Sequence, residues 1–373
     1  MKSSRGLSLR NYARCPVARE PRHYRFLASI RQGPRVCDSR RGMIENAATS
    51  RRISFLGYGA CLVAGCLWGT GFYFGRLALN EMSVEHMVLY RFLFACLGML
   101  PVALLHRRRV RLTGSEVRLL LICAFLGVPV QFLIQFHGLA LTTVSHASLM
   151  VGAMPVLLAA AAPLFAGARA AEERLDRIAW LALFGSTVGA ALITLGGSRG
   201  SVTRGEPTLA GDLLIVASLF TALAWILLSR KLMETHSPIV VTAYTIFSGT
   251  MMLAVWVLGP WALSPLTHAK VAPLPIAHVS LTAWMALAIS GVLCTATTTL
   301  LWNWGINHVP ASRAGVFLNI EPALGSFLGV KLLGEHLGPF AWAGGGLILL
   351  VAVTLTTRGQ PPGSVTDPAI LLE

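Results

Sequence analysis

Residues 147–155 read ASLMVGAMP, and residues 314–322 read AGVFLNIEP. Both stretches begin with alanine, end with proline and lie in the middle of a long apolar segment, 167 positions apart. The same offset relates Gly138 to Gly305 without a gap. A fixed internal period is tested first, because it changes how the whole chain is interpreted. The matches predict one membrane module used twice, with two proline-interrupted helices that line a central pathway.

The composition indicates that most of the chain does not meet water. Of its 373 residues, 54% are hydrophobic and 13% are charged, whereas soluble proteins carry about 25% charged residues. Each apolar segment is long enough to cross the ~30 Å of hydrocarbon in a bilayer. The sequence therefore predicts an all-α integral membrane protein with ten transmembrane helices, at 55–77, 84–105, 116–137, 141–165, 178–196, 210–229, 238–259, 281–304, 311–333 and 338–357.

The positive charge is distributed in a way that predicts the orientation. The net charge is +15, and residues 1–54 alone contain thirteen Lys/Arg and three Asp/Glu. If the N-terminus is cytosolic, twelve further Lys/Arg fall on the cytosolic side and four on the opposite side. Because cytosolic loops are enriched in Lys and Arg, both termini are predicted to be cytosolic, including the tail 358–373. A charge confined to loops and ends does not indicate a nucleic-acid partner.

Three interpretations of the basic arm, residues 1–54, stay open. It is a disordered cytosolic arm that touches anionic lipid, or an organelle transit peptide, which has a similar composition. Alternatively, translation starts at Met43 and residues 1–42 are absent from the mature protein. The first and third interpretations are favoured, because nothing else in the chain marks an organelle.

The repeat fits this topology. Five segments fall in residues 55–196 and five in residues 210–357. An odd number of crossings in each half inverts the second copy relative to the first. Inverted repeats with a site near the bilayer midplane are a recurrent plan of secondary transporters.

A family resemblance rests on short motifs in both halves. They are Trp68-Gly69-Thr70 with Phe72, Arg91-Phe92, Asn319-Ile320-Glu321-Pro322 and Leu333-Gly334-Glu335, with Pro155 and Glu173 in the first half. Over roughly residues 55–357 the chain resembles the ten-helix, EamA-type branch of the drug/metabolite transporter superfamily. The resemblance implies a secondary active transporter of the bacterial inner membrane. It would move small polar metabolites, amino acids or drugs by alternating access, often outward, with segments 1, 3, 4, 6, 8 and 9 lining the pathway.

Two features depart from the family pattern. The connection between segments 4 and 5 is lengthened before Glu172 and Glu173, which leaves open which glutamate corresponds to the family's. The long basic N-terminal arm is also unusual for the family.

Glu321 is the main candidate for coupling or substrate binding. It falls near the middle of segment 9, where an ionisable group costs ~2.5–3.5 kcal/mol on insertion scales and usually faces a cavity or a partner. Pro322 leaves a helix carbonyl without its usual donor, and Pro155 occupies the matching position in the first half. We therefore expect hinges at these two prolines and a proton-coupling or amine-binding role for Glu321. The alternative is a glutamate that stabilises the helix break.

Six further polar or aromatic side chains are candidates for the substrate pathway. Gln131 and Gln135 lie four residues apart and so share a helix face, while Asn303 and Asn319 place amides in segments 8 and 9. Trp68 and Trp225 stand at matching positions of segments 1 and 6. For the amides the alternative role is interhelical hydrogen bonding, and for the tryptophans it is packing at the membrane interface.

Other ionisable groups are expected to be structural. Arg91 could bind an anionic substrate or pair with Glu81 or Glu85, and the resemblance favours a structural role. His137 and His146 fall near the outer ends of segments 3 and 4, where we expect them at the surface.

The remaining patterns limit the function classes. Glycines at four-residue spacing predict close helix packing, with a homodimer as the alternative use. The seven cysteines show no metal-ligand or disulfide spacing, and no nucleotide fingerprint or zinc motif occurs. No cofactor is expected, and an enzyme is disfavoured because catalytic groups are not clustered. An uncoupled facilitator is the alternative to a coupled transporter. The expected partners are a small-molecule substrate and the lipid bilayer.

Overall fold

The computed structural model describes residues 39–105, 112–165, 177–195, 207–267, 278–306 and 317–357. The chain divides into two units, residues 1–49 and residues 50–373. Of the first unit only residues 39–49 are described, and they form the start of a helix. The second unit holds all the other described helices, and the described residues contain no strand. The predicted all-α class is therefore confirmed.

The helices follow one another through short turns. They are α1 (Ser39–Leu79), α2 (Val84–Leu105), α3 (Gly114–Phe125), α4 (Gln131–Ala140), α5 (Val144–Val151), α6 (Met154–Phe165), α7 (Arg177–Leu195), α8 (Leu209–Met233), α9 (Pro238–Thr267), α10 (Leu281–Gly291), α11 (Thr298–Ile306), α12 (Ile320–Leu332) and α13 (Pro339–Thr357). Two π-helical turns, Leu126–Val130 and Val292–Thr297, join α3 to α4 and α10 to α11.

Six continuous stretches are long and apolar enough to cross a membrane. They are Phe55–Leu79, Val84–Leu105, Gly114–Ala140, Leu209–Met233, Pro238–Ala262 and Leu281–Gly305. Val144–Leu157, Trp180–Ile193 and Pro339–Thr354 are shorter apolar helices, and α12 has 13 residues. These lengths support an integral membrane protein, while the count of ten crossings stays a prediction.

Helix α1 begins well before its membrane span. The arm was expected to be disordered through residue 54, but residues 39–54 are helical. After Gly42 this stretch contains neither glycine nor proline, and it leads directly into a long helix. Extending an existing helix adds one hydrogen bond per residue and avoids the cost of nucleation, which explains why the helix extends backward. The lengthened connection with Glu172 and Glu173, residues 1–38 and the tail 358–373 lie outside the described residues.

The π-helical turns fall at matching places in the two halves. Leu126 and Leu293 are separated by the same 167 positions as the sequence repeat. Pro129 lies inside the first turn, where its missing N–H would interrupt an α-helical ladder. In the second turn threonine hydroxyls bond carbonyls five residues back, Thr295 to Ser290 at 3.0 Å and Thr298 to Leu293 at 2.6 Å.

The proline-containing helices are both interrupted just before their prolines. The first breaks at residues 152–153 between α5 and α6, and the second breaks at Asn319, before α12. Pro155 and Pro322 therefore stand in the first turn of a new helix, where proline's missing donor costs nothing. Breaks at equal offset show that the repeat in sequence is also a repeat in backbone geometry.

Corresponding helices of the two halves pack against each other. The most extensive contacts are between α7 and α13, α4 and α8, α5 and α12, and α2 and α9. Between α7 and α13 the contact runs through glycine, since a Cβ at Gly189 would lie 2.7 Å from the Gly344 carbonyl oxygen. These glycines are used within the bundle.

Candidate functional site

Glu321 and Arg91 bring opposite charges to the centre of the bundle. Glu321 is in the first turn of α12 and is partly accessible, and Arg91 is in α2 with 4% of its surface exposed. The two lie within electrostatic range, but among the described residues no direct ion pair joins them. A Cβ at Gly69 of α1 would lie 3.1 Å from the Glu321 carbonyl oxygen. Glycine there lets α1 approach the backbone that carries the carboxylate.

Arg91 is fixed by aromatic rings rather than by a carboxylate. Its guanidinium carbon lies 5.2 Å from the Phe132 ring centre and 5.1 Å from that of Phe136, and its Nε donates to Thr295 Oγ1 at 3.1 Å. A desolvated cation–π contact contributes about 2 kcal/mol. These contacts hold the guanidinium planar and in place while leaving its charge without a direct carboxylate partner.

The expected pairing of Arg91 with Glu81 or Glu85 is wrong. Glu81 accepts from the Ser280 backbone N–H and hydroxyl, both at 2.6 Å, and Glu85 faces His137 at 3.2 Å. Arg91 lies almost two helical turns deeper in α2, beyond reach of either carboxylate. Sequence reasoning therefore underrated Arg91. The available signal was an arginine deep in an apolar helix, which favours a functional site.

A hydroxyl and a thiol complete the described surroundings of Arg91. Thr70 Oγ1 of α1 is 3.2 Å from Cys294 Sγ in the second π-helical turn. A Cβ at Gly71 would lie 3.6 Å from the guanidinium and 3.7 Å from Cys294 Cβ. The predicted role of Cys294 was a small apolar filler, but the structure places it beside polar groups of the central site.

The predicted glutamines lie next to the aromatic pair that holds Arg91. Gln131 is buried and Gln135 is partly buried, on α4 immediately after the first π-helical turn. Phe132 and Phe136 follow them in sequence and so point about 100° away around the helix. Gln131 Oε1 is buried without a hydrogen-bond partner. The amides therefore line a face adjacent to the guanidinium, and their role in the pathway stays a prediction.

The predicted asparagines differ in their surroundings. Asn303 is 7% exposed and donates to Thr242 Oγ1 of α9 at 2.7 Å. This contact is the interhelical hydrogen bond that was the alternative to a pathway role. Asn319 is buried at the helix break, two residues before Glu321. The structure thus brings Asn319 close in sequence to the charged centre, and it engages Asn303 elsewhere.

The two matched tryptophans pack in different ways. Trp68 lies beside Trp302, with ring centroids 5.4 Å apart and planes inclined by 54°. Trp225 covers the first π-helical turn, because a Cβ at Gly127 would lie 2.5 Å from its ring. Trp68 therefore contributes to an aromatic wall between α1 and α11, whereas Trp225 packs against the segment that leads into α4.

One end of the bundle is closed by hydrogen bonds between the halves. We call this the distal end, defined by the turns at 80–83, 141–143 and 333–338. The Glu335 carboxylate accepts from the backbone N–H groups of Val144 and Ser145, both at 2.7 Å, and from the Ser145 hydroxyl at 2.6 Å. The charge thereby caps the N-terminus of α5. Gly334, at φ 68°, supplies the left-handed turn that presents Glu335.

His146 contradicts its expected surface position. It is 2% exposed, and its Nδ1 lies 3.5 Å from Asp212 Oδ2, whose side chain is 1% exposed. Asp212 Oδ1 also accepts from Thr142 Oγ1 at 2.6 Å. His146 was expected to meet solvent because it is near a helix end. The first turn of α8 covers that end, which only the packing of the two halves reveals.

The opposite end carries a related contact. His236 Nε2 lies 3.0 Å from Glu116 Oε1, and Glu116 also forms a capping box with Thr113 at the start of α3. At the distal end Glu81 similarly reaches Ser280, the residue that caps α10. In both cases a turn of one half binds the start of a helix in the other half. Among the described residues no group of three His, Cys, Asp or Glu could hold a metal ion.

Comparisons with known proteins agree on the family. The model of the EamA-like transporter family matches residues 55–195 and again residues 209–357. An uncharacterized transporter of Archaeoglobus fulgidus is 25% identical over 295 residues, which is 79% of this chain and 94% of the relative. The uncharacterized transporter YdfC of Bacillus subtilis is 23% identical over 269 residues, 72% of this chain and 80% of the relative.

Two further matches are more limited. The putative permease-like protein YdzE of Bacillus subtilis is 44% identical over 59 residues, 16% of this chain and 76% of that protein. A solved crystal structure of a protein superposes with a TM-score of 0.53 and 17% identity, over 82% of this chain and 98% of that chain. That likeness concerns the fold alone. The chain belongs to the EamA-like transporter family, contains its domain twice, and is a membrane transporter rather than an enzyme.

Proposed function

We propose that this transporter exports small zwitterionic metabolites, such as amino acids, by alternating access coupled to a proton. The observation that supports the proposal is the central pair of Arg91 and Glu321. One charge comes from each half, and no direct ion pair joins them among the described residues. Charges in a low-dielectric interior are costly unless a partner compensates them.

A zwitterion would satisfy both charges at once. Its carboxylate would bind the guanidinium of Arg91, which Phe132 and Phe136 already hold in place. Its ammonium group would bind the Glu321 carboxylate. Because Arg91 and Glu321 belong to different halves, a bound zwitterion bridges the halves and can favour one of their arrangements over the other.

Coupling follows from competition at Glu321. A proton on the carboxylate removes the charge that an ammonium group needs, so proton and substrate bind alternately. An inward proton gradient would then move the substrate outward. Pro155 and Pro322 are proposed as the hinges, since each stands at a helix break in a matching place.

The proposed location is the bacterial inner membrane with both termini in the cytosol. The excess of Lys and Arg in one set of loops supports this orientation. In it the distal end faces outward.

The experiment is transport into sealed proteoliposomes, with and without an imposed pH gradient. The panel contains labelled amino acids, amine-only analogues lacking the carboxylate, and acids lacking the amine. Gradient-dependent movement of the zwitterions alone, lost in Glu321→Gln, is the expected result. Glu234→Gln is the matched control, because Glu234 is an exposed carboxylate at the end of α8.

Two outcomes contradict parts of the proposal. Movement that is indifferent to the gradient and to Glu321→Gln would identify an uncoupled facilitator. Equal movement of zwitterions and amine-only analogues would remove Arg91 from substrate recognition.

A further inference from the structure

A second pair of ionisable groups is buried at the distal end, away from the central site. His146 is in the first turn of α5, and Asp212 is in the first turn of α8. Their side chains are 2% and 1% exposed, with 3.5 Å between Nδ1 and Oδ2. One residue comes from each half of the chain. Titratable side chains are almost never buried this completely unless they have a partner.

The pair lies within the contacts that close the distal end. The Leu141 carbonyl accepts from the backbone N–H of Thr208 at 3.0 Å and from its hydroxyl at 2.7 Å. Thr142 donates to Asp212 at 2.6 Å. All of these bonds join the turn between α4 and α5 to the start of α8. They must break if the two halves separate at this end.

The charged groups around the pair leave the imidazole as the main variable. Arg76 of α1 donates to the Thr142 carbonyl, and Glu335 is engaged by the N-terminus of α5. On the neighbouring elements His137 is exposed and faces Glu85, while Lys331 and His336 are exposed. Asp212 is thus the carboxylate that faces His146.

The protonation state of His146 changes the strength of this contact. Imidazole is the side chain whose ordinary charge change falls between about pH 5 and pH 8. A distance of 3.5 Å is long for a hydrogen bond between neutral groups. An imidazolium at that distance adds a charge–charge attraction that little solvent screens. The carboxylate already accepts one hydroxyl at its other oxygen, so the second oxygen is available to the imidazolium.

We infer that His146 and Asp212 form a second proton-binding site, which holds the two halves together at the distal end when His146 is protonated. This inference rests on the proposed alternating-access transport. When the distal end opens, His146 faces the outer solution and takes up a proton there. The protonated pair then favours closure and the return to the inward-open arrangement. The site would therefore couple an external proton to the step that carries no substrate.

The test measures opening directly, without substrate and without a gradient. Spin labels are attached at Leu141 and Leu281 of a cysteine-free variant, because both residues are exposed (44% and 75%) and belong to different halves. Distances between the labels are measured by double electron–electron resonance in lipid nanodiscs between about pH 5 and pH 8. We expect the ratio of short-distance to long-distance populations to fall about fivefold or more as the pH rises.

Two variants identify the groups responsible. His146→Gln and Asp212→Asn should each abolish the pH response, and both remove a charge with little change of size. His137→Gln is the matched control, because His137 is 47% exposed in its side chain and does not face Asp212. It should respond to pH as the parent does. Each variant is first checked for a monodisperse size-exclusion profile, and either of the two charge-removing variants suffices for the test.

The outcomes separate this inference from the proposed function. A parent protein with no pH response, or a response that persists in His146→Gln, would overturn the inference. In that case gradient-dependent transport lost in Glu321→Gln would still support the proposed function. Conversely, a pH response that needs His146, in a protein without gradient-driven transport, would support the proton-binding site and contradict the proposed coupling.

Discussion

The contact between α7 and α13 allows a sharp test of the packing, through Gly344→Ala. A Cβ at Gly344 would overlap the carbonyl oxygen of Gly189 and lie 3.0 Å from the Ile193 backbone nitrogen. Backbone atoms cannot rotate away as a flexible side chain can. The two helices would have to move apart along their closest contact. Overpacking of this kind costs typically about 1–3 kcal/mol.

The matched control is Gly346→Ala, two positions along the same helix. A Cβ at Gly346 would meet nothing within 4 Å. Alanine is favoured over glycine inside a helix by roughly 0.5–1 kcal/mol. The same chemical change should therefore destabilise the protein at Gly344 and leave it unchanged or slightly more stable at Gly346.

The assay is thermal unfolding of the purified protein in detergent, followed by intrinsic tryptophan fluorescence. We expect a lower unfolding temperature for Gly344→Ala and an equal or higher one for Gly346→Ala. Equal unfolding temperatures for Gly344→Ala and the parent would refute the reasoning, because they would mean that α7 and α13 do not approach through their backbones.

Three further predictions concern single charged side chains. Arg91→Lys keeps the charge but loses the planar group held between two rings, so carboxylate-bearing substrates should bind at least about tenfold more weakly, with amine-only analogues unaffected; equal weakening of both, measured by calorimetric titration, would contradict this role. Glu335→Gln removes the charge that caps α5 and should lower the unfolding free energy by about 1–3 kcal/mol, whereas Glu234→Gln, an exposed carboxylate, should change it little; denaturant titration compares the two. Hydrogen bonds from the Ser280 hydroxyl and backbone N–H lower the pKa of Glu81, so its stabilising contribution is present above the ordinary glutamate pKa of about 4.3 and is lost as the pH falls through the lowered value. The unfolding temperatures of the parent and Glu81→Gln should therefore converge on acidification, and a gap that persists well below that range would show that the carboxylate charge is irrelevant.

Much of the backbone geometry could be predicted from the sequence, for a physical reason. Apolar length and proline position act locally, so the interruptions near Pro155 and Pro322 follow from missing backbone donors. The 167-residue repeat correctly implied that whatever happens in one half recurs in the other, as the paired π-helical turns show. The start of α1 at Ser39 was missed because its polar composition resembles that of a disordered arm.

The central site was only partly predictable. Glu321 was identified because a carboxylate in an apolar segment is costly wherever it points. Arg91 was assigned to the wrong partners, since distance along one helix does not reveal the rings that α4 brings to it. Asn303 was placed in the pathway group, but its bond to Thr242 depends on which face α9 covers.

The sequence by itself determined the membrane setting, the doubled module, the helix breaks and the family, because hydrophobicity, backbone donors and motif spacing are properties of the chain alone. Only the tertiary structure decided which charges are left without a direct partner and which are enclosed. Arg91 lies across from Glu321, and His146 is sealed against Asp212. These relations depend on the packing of helices from opposite halves, and burial is set by what another segment covers rather than by a residue's own neighbours in sequence.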